Sequence, residues 1–239
     1  MTVSRDDAGH HGANHGVSDV MTVPTRRELV VIAAVALVMF VLLGVLAKVP
    51  WTGLRHLDTI ASADGYRLSS HNAAVRIPAL VITWLGSPLA VDIVTVLAAA
   101  WLSLVRRWRL AAVVLVARSG ELACESLAKL VVGRPRPHLL PMLTSASGTS
   151  FPSGHSAGSV AAYGAILLAV AVCLGRPPSP WVVALMTLFL FAVAASRVVL
   201  GVHYPTDVLG GMELGLAWVA LAFAVLAPGR PRMRCRVGQ

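Results

Sequence analysis

The chain has 239 residues, 56% hydrophobic and 13% charged, with a net charge of +9 and a mean hydropathy of +0.75. Soluble domains carry about 25% charged residues, so the composition excludes an ordinary water-soluble fold and indicates a membrane protein. The positive balance does not point to nucleic acid either. The arginines gather at the ends of apolar runs, as TRR, RRWR and GRPRMRCR, and do not line one aromatic-studded face.

In chain order, residues 1–25 show no periodicity and read as a disordered tail; their His10, His11 and His15 have no metal-ligand spacing. The first apolar run, Leu29–Val49, lacks a small-residue cleavage signature and is long enough to be retained as a membrane anchor. The stretch from 51 to 86 holds one apolar piece, Ile77–Leu85, too short to cross, and is expected at the interface as an amphipathic helix. Further spans are expected at Pro88–Val105, with Ser87 as N-cap, and at Leu110–Val132, Ser153–Leu174, Pro180–Leu200 and Thr206–Leu226. The fold class is therefore all-α: a polytopic bundle of six transmembrane helices in one domain over 26–228, followed by a basic tail at 229–239. Cys124 and Cys173 fall inside spans and Cys235 in the tail, so none suggests a disulfide framework.

The short connections set the orientation. Arg26 and Arg27, then Arg106, Arg107 and Arg109, then Arg176, and finally the tail arginines all fall on one side, which is expected to be cytoplasmic with both termini. Three polar clusters fall on the opposite, extracytoplasmic side. They are KLVVGRPRP (129–137), FPSGHSAG (151–158) and ASRVVLGVHYPTD (195–207). Their Lys and Arg oppose the topological bias, so they need another use.

Lys129 offers a point charge and Arg136 and Arg197 offer planar forks of donors, a set suited to phosphate oxygens. Ser153 and Gly154 open a helix, where free backbone N–H groups attract an anion and the missing Cβ allows close approach. Two histidines add reactivity. His203 stands four residues before Asp207, a separation that lets the carboxylate orient the imidazole as a nucleophile or base, and His155 can give a proton to a leaving oxygen. Only one carboxylate belongs to the constellation, so no metal and no other cofactor are expected.

Lys-x6-Arg-Pro, Pro-Ser-Gly-His and Ser-Arg-x5-His-x3-Asp, in that order, resemble the three-part signature of the type 2 phosphatidic acid phosphatases, or lipid phosphate phosphatases, without departure at any signature position. The resemblance implies that His203 takes the phosphoryl group as a phosphohistidine, that Asp207 orients it and that His155 protonates the departing group. It assigns Lys129, Arg136, Ser153, Gly154 and Arg197 to the phosphoryl oxygens. The implied reaction is metal-independent hydrolysis of phosphatidic acid, phosphatidylglycerophosphate or a polyprenyl diphosphate in the membrane. The competing class is a protein that binds or transports lipid phosphate without cleaving it. The expected partner is the lipid phosphate itself; the sequence points to no obligate protein partner.

Arg134, two residues before Arg136, is a candidate contact for a second phosphate or a headgroup, which leans the reading towards diphosphates. Arg118, Glu121, Glu125 and Lys129 recur on one helical face, and a structural ionic ladder is expected, with Arg118 pairing the two glutamates. Asp92 and Glu213 are expected to bridge helices.

Overall fold

The computed structural model describes residues 24–49, 51–139 and 141–227. Most of the expected N-terminal tail, the basic tail and Cys235 lie outside the described residues. Within them every regular element is helical: α1 (Arg26–Lys48), α2 (Thr52–His71), α3 (Ala73–Leu85), α4 (Pro88–Leu104), α5 (Trp108–Val132), α6 (Gly154–Ser159), a π-helical turn (Val160–Gly164), α7 (Ala165–Leu174), α8 (Pro180–Val199) and α9 (Pro205–Leu226). Local sequence explains the starts. Thr25 and Glu28 form a reciprocal cap on α1, and Ser87 and Ser179 cap α4 and α8, each with proline at the first helical position.

Among the described residues four helices are long and apolar enough to cross a membrane: α1, the continuous run Gly154–Leu174, α8 and α9. The pair α3 and α4, bent by 43° across Gly86 and Ser87, makes a fifth if taken as one broken span. On length and composition the expected six are therefore not all met. α4 alone has 17 residues, and α5, with 25, carries Arg118, Glu121 and Glu125 in its middle. The segment expected as one interfacial helix forms two. α2 lays Asp58, Ser62 and Ser69 against α8 and α9, and α3 packs on α8.

α9 is the hub, packed against α1, α5, α6 and α8. The bundle is apolar outside and partly polar inside: Leu104 and Leu130 are 83% exposed, while Arg118, Glu121, Arg197 and Asp207 are buried. Glycine makes a close backbone-to-backbone contact possible. A Cβ on Gly211 would lie 2.5 Å from the Ser153 carbonyl oxygen, and one on Gly215 would lie 2.5 Å from that of Ala157. Four residues apart, the two glycines let α9 meet α6 backbone to backbone, as small residues do in membrane bundles. On the neighbouring face of α9, Gly210 leaves room for the Phe151 ring, which stacks on Phe40 of α1 with centroids 5.7 Å apart. The helix openings at Ser153 and at Tyr204–Asp207 are thereby held side by side.

Because the atoms opposed to Gly211 and Gly215 are backbone, an added methyl cannot be relieved by a rotamer change. Gly211→Ala and Gly215→Ala are each expected to destabilise the protein by about 1–3 kcal/mol, read as a lower melting temperature in detergent. Gly53→Ala, with nothing within 4 Å of the new methyl, is the control. Melting of either α9 variant together with wild type would show that the close contact is not needed.

Candidate active site

α5 delivers Lys129 in its last turn and ends at Gly133, whose φ of 64° needs no Cβ. The following loop carries Arg134, Arg136 and Ser150 to the N-cap Ser153. α6 then starts with Gly154 and His155, α8 carries Arg197 in its last turn, and the α8–α9 connection holds His203, with Asp207 in the first turn of α9. The structure brings the expected cluster together: the His155 imidazole lies within electrostatic reach of Arg197, His203, Arg136 and Lys129, and His203 within reach of Arg136, Arg197 and Asp207.

His203 is 2% exposed. Its Nε2 lies 2.8 Å from Arg136 Nη1. A guanidinium only donates, so Nε2 accepts and the proton of the neutral ring sits on Nδ1. Nδ1 faces Asp207 Oδ2 and Ser150 Oγ, both at 3.5 Å. Burial pushes the His203 pKa down to about 4, against the opposing pull of the Asp207 carboxylate and with help from Arg136 and Arg197. The ring is therefore neutral at neutral pH, with its lone pair on the side of the cationic cluster.

Asp207, fully buried, collects donors from every part of the site: Arg134 Nη1 at 2.9 Å, the Tyr204 N–H at 2.9 Å and the Ser150 hydroxyl. Its backbone carbonyl accepts from the Ser153 N–H at 3.0 Å, which locks the start of α6 to the start of α9.

The cationic groups differ in how free they are. Arg197 is 2% exposed and gives Nη1 to Thr83 Oγ1 at 2.7 Å, while its buried Nε has no hydrogen-bond partner among the described residues. Unpartnered buried donors are costly, so this N–H is a built invitation to an acceptor. Arg136 spans two loops, donating to the carbonyls of Ser147, Gly148 and Val202 as well as reaching His203. Lys129 is half-buried and paired with Glu125, whose carboxylate presses on Gly154: a Cβ there would collide with Oε1.

Arg134 departs from its expected role as a second-phosphate contact. It is buried, with Nη2 on Asp58 Oδ2 at 2.7 Å and Nη1 on Asp207 Oδ1 and Thr206 Oγ1, under the Tyr204 ring at 4.1 Å. Two carboxylates and a hydroxyl hold the donors a second phosphate would need. The expected ladder on α5 also splits. Arg118 pairs with Glu121 and with Asp92 of α4, which does bridge helices, while Glu125 goes to Lys129.

Sequence reading missed Asp58, Thr83, Ser150 and Thr206. Asp58 and Ser62, four residues apart on α2, and Ser69 further along are its buried polar stripe, a period visible in the sequence but not separable from a wet surface face without knowing the partner. Ser150 and Thr206 adjoin motif residues; Thr83 lies in the piece expected to rest at the interface.

The family model for the PAP2 superfamily matches residues 108–229. Decaprenylphosphoryl-5-phosphoribose phosphatase of Mycobacterium tuberculosis is 34% identical over 128 residues, 51% of this chain and 66% of that protein, so the match spans slightly less than two thirds of that relative. Phosphatidylglycerophosphatase B of Bacillus subtilis is 31% identical over 169 residues, 67% of this chain and 82% of its own length. The crystal structure of a transmembrane PAP2 type phosphatidylglycerolphosphate phosphatase from Bacillus subtilis superposes with a TM-score of 0.69 at 25% identity, over 80% of this chain and 93% of that one. With three motifs converging on one end of the bundle and the family pattern running through the helices that carry them, the chain belongs to the PAP2 superfamily.

Proposed function

We propose that the protein removes a phosphoryl group from a membrane lipid phosphate through a phosphohistidine on His203. The observation that carries this reading is the neutral, buried imidazole whose Nε2 accepts from Arg136 and lies within electrostatic reach of Arg197, which has an unpartnered buried Nε. A phosphoryl group entering the cluster draws Arg136 Nη1 from Nε2 to one of its own oxygens, which frees the lone pair. Nε2 attacks phosphorus, the bond from phosphorus to the lipid oxygen breaks, and His155 gives that oxygen its proton. Water then attacks the phosphohistidine, His155 takes the proton, the P–N bond breaks and inorganic phosphate leaves. Lys129, Arg136, Arg197 and the backbone at Ser153–Gly154 hold the charge on the equatorial oxygens, the service a divalent ion gives in other phosphatases. Asp207 keeps Nδ1–H oriented throughout. A protein that only binds lipid phosphate has no use for an oriented nucleophile, which weighs against that alternative.

The lipid nature of the substrate is supported by the apolar exterior and by the relatives, whose names place lipid phosphates as their substrates. An apolar groove of about 320 Å³ between α1 and α5, with Phe40, Gly44, Leu127 and Phe151 among its walls, lies beside the loop that leads to Ser153 and can take a hydrocarbon chain. With Arg134 occupied, the lean towards diphosphates loses its ground, and monophosphate lipids are the favoured class. We place the chain in the membrane as six spans, counting α5 and a bent α3–α4 as crossing, with both termini cytoplasmic and the site outside, on the strength of the arginine asymmetry.

His203→Ala is expected to abolish any acid-labile phosphoenzyme, whereas His155→Ala still forms it from a substrate with a good leaving group; rapid quenching with labelled substrate reads both. A normal phosphoenzyme level in His203→Ala would remove it as nucleophile.

The acid limb that His203 contributes to kcat/KM, after correction for substrate ionisation, is expected near pH 4. The sign for stability is the same. The unfolded ring takes a proton near the ordinary value of 6.5 that the folded ring refuses until about 4, so stability is lost as pH falls through that window. Melting curves from pH 7 to 4 should show less acid loss for His203→Gln than for wild type.

Ser145→Cys, in the exposed loop between the first two motifs, is expected to react with a membrane-impermeant thiol reagent on intact cells. Protection of that residue until the cells are broken would invert the orientation.

A further inference from the structure

The polar face of α2 has no place in the three motifs, yet its buried side chains are all hydrogen-bonded. Asp58, 2% exposed, accepts from Arg134 Nη2 at 2.7 Å, from Thr206 Oγ1 at 2.6 Å and from the Thr206 N–H at 3.2 Å. One turn on, the Ser62 hydroxyl donates to the His203 carbonyl at 3.1 Å, and further along Ser69 donates to the Val199 carbonyl at 2.6 Å. α2 therefore grips the end of α8, the His203 loop and the start of α9 at successive points.

The important link is the fork of Arg134 between two carboxylates. Nη1 goes to Asp207 Oδ1 and Nη2 to Asp58 Oδ2, which leaves Asp207 Oδ2 for the His203 side, Ser150 and Tyr204. Without a second carboxylate, the guanidinium would be drawn fully onto Asp207, because the fork favours bidentate pairing. It would then compete with Nδ1–H for the carboxylate and cancel its charge.

We infer that Asp58 is a positioning residue for the His203–Asp207 pair, acting through Arg134, and that α2 is thus part of the active site. The inference rests on the reading of His203 as nucleophile. Holding Arg134 half away from Asp207 keeps one carboxylate oxygen and its negative charge for the imidazole, whose ring becomes cationic when it carries the phosphoryl group. None of the phosphoryl-binding groups touches Asp58, so its influence falls on the chemical step and not on substrate binding.

The test is a kinetic cycle on the full chain in detergent micelles with a phosphatidic acid substrate. Asp58→Asn keeps the shape but removes the charge and replaces one of the two acceptor oxygens with an amide donor. It is expected to lower kcat about 10- to 100-fold, the usual size for a group supporting a reacting residue, with KM within about twofold. Arg134→Lys keeps the charge but cannot fork, and the double variant Asp58→Asn/Arg134→Lys should be no slower than Arg134→Lys alone, since coupled residues are not additive. Multiplied losses in the double variant, an unchanged kcat in Asp58→Asn, or a raised KM at constant kcat would overturn the inference. Should Asp58→Asn fail to yield monodisperse protein, Thr206→Val removes the hydroxyl shared by Arg134 and Asp58 and gives the same readout: a lowered kcat at constant KM supports the inference and a wild-type kcat overturns it. Full turnover in His203→Gln, measured in parallel, would instead show that the pair is not the reacting one and would bring both readings down, whereas its loss beside an unaffected Asp58→Asn sinks the role of α2 alone.

Discussion

Asp207 is where the site is tied together. A fully buried carboxylate is tolerable only if its charge and lone pairs are met, and here they are met by groups from separate parts of the chain: a guanidinium from the loop after α5, a hydroxyl from just before α6, the N–H of Tyr204 and the imidazole of His203. Its own backbone carbonyl holds the Ser153 N–H. Cationic loops that would otherwise repel one another are gathered around this one anion. Removing its charge would leave Arg134, Arg136 and Arg197 massed near a buried histidine, with Asp58 on Arg134 and Glu125, already paired with Lys129, to offset them.

The close backbone contact of α9 with α6 makes this arrangement geometrically possible. Helices carrying ordinary side chains pack with axes about 8–10 Å apart, and only small residues allow the carbonyl of Ser153 to lie against Gly211. Phe151 then fills the space at Gly210 and stacks on α1, so the loop before Ser153 is pinned from the opposite side. Packing in the apolar part of the bundle and hydrogen bonding at its polar end thus fix the same few atoms.

Much of this was legible beforehand. The helical class and the convergence of Lys129, Arg136, His155, Arg197, His203 and Asp207 followed from hydropathy and from motifs at the ends of apolar runs, because those signals are local. The number of crossings was less legible. Hydropathy cannot decide a helix such as α5, whose charges are neutralised by each other and by Asp92, or a span broken at Gly86. The pairing of Arg134 was not legible, because an arginine beside a phosphate motif looks available until its partner is known, and that partner, Asp58, lies 76 residues away. α2 hid its role for the same reason: a polar stripe is identical in sequence whether it faces water or a buried guanidinium.

On the reading of Lys129 as a phosphoryl-binding group, its pairing with Glu125 would give the site a selectivity of its own. The ammonium is not idle before a substrate arrives, since a carboxylate already sits on it and against Gly154. On the phosphatase reading, capture is an exchange of anions, in which the newcomer gains only what it offers beyond the resident one. A terminal phosphate bearing two charges wins that exchange; a phosphodiester bearing one, the form in which most membrane phospholipids present themselves, gains little. A protein immersed in phosphodiester headgroups is thereby kept from being saturated by its own solvent.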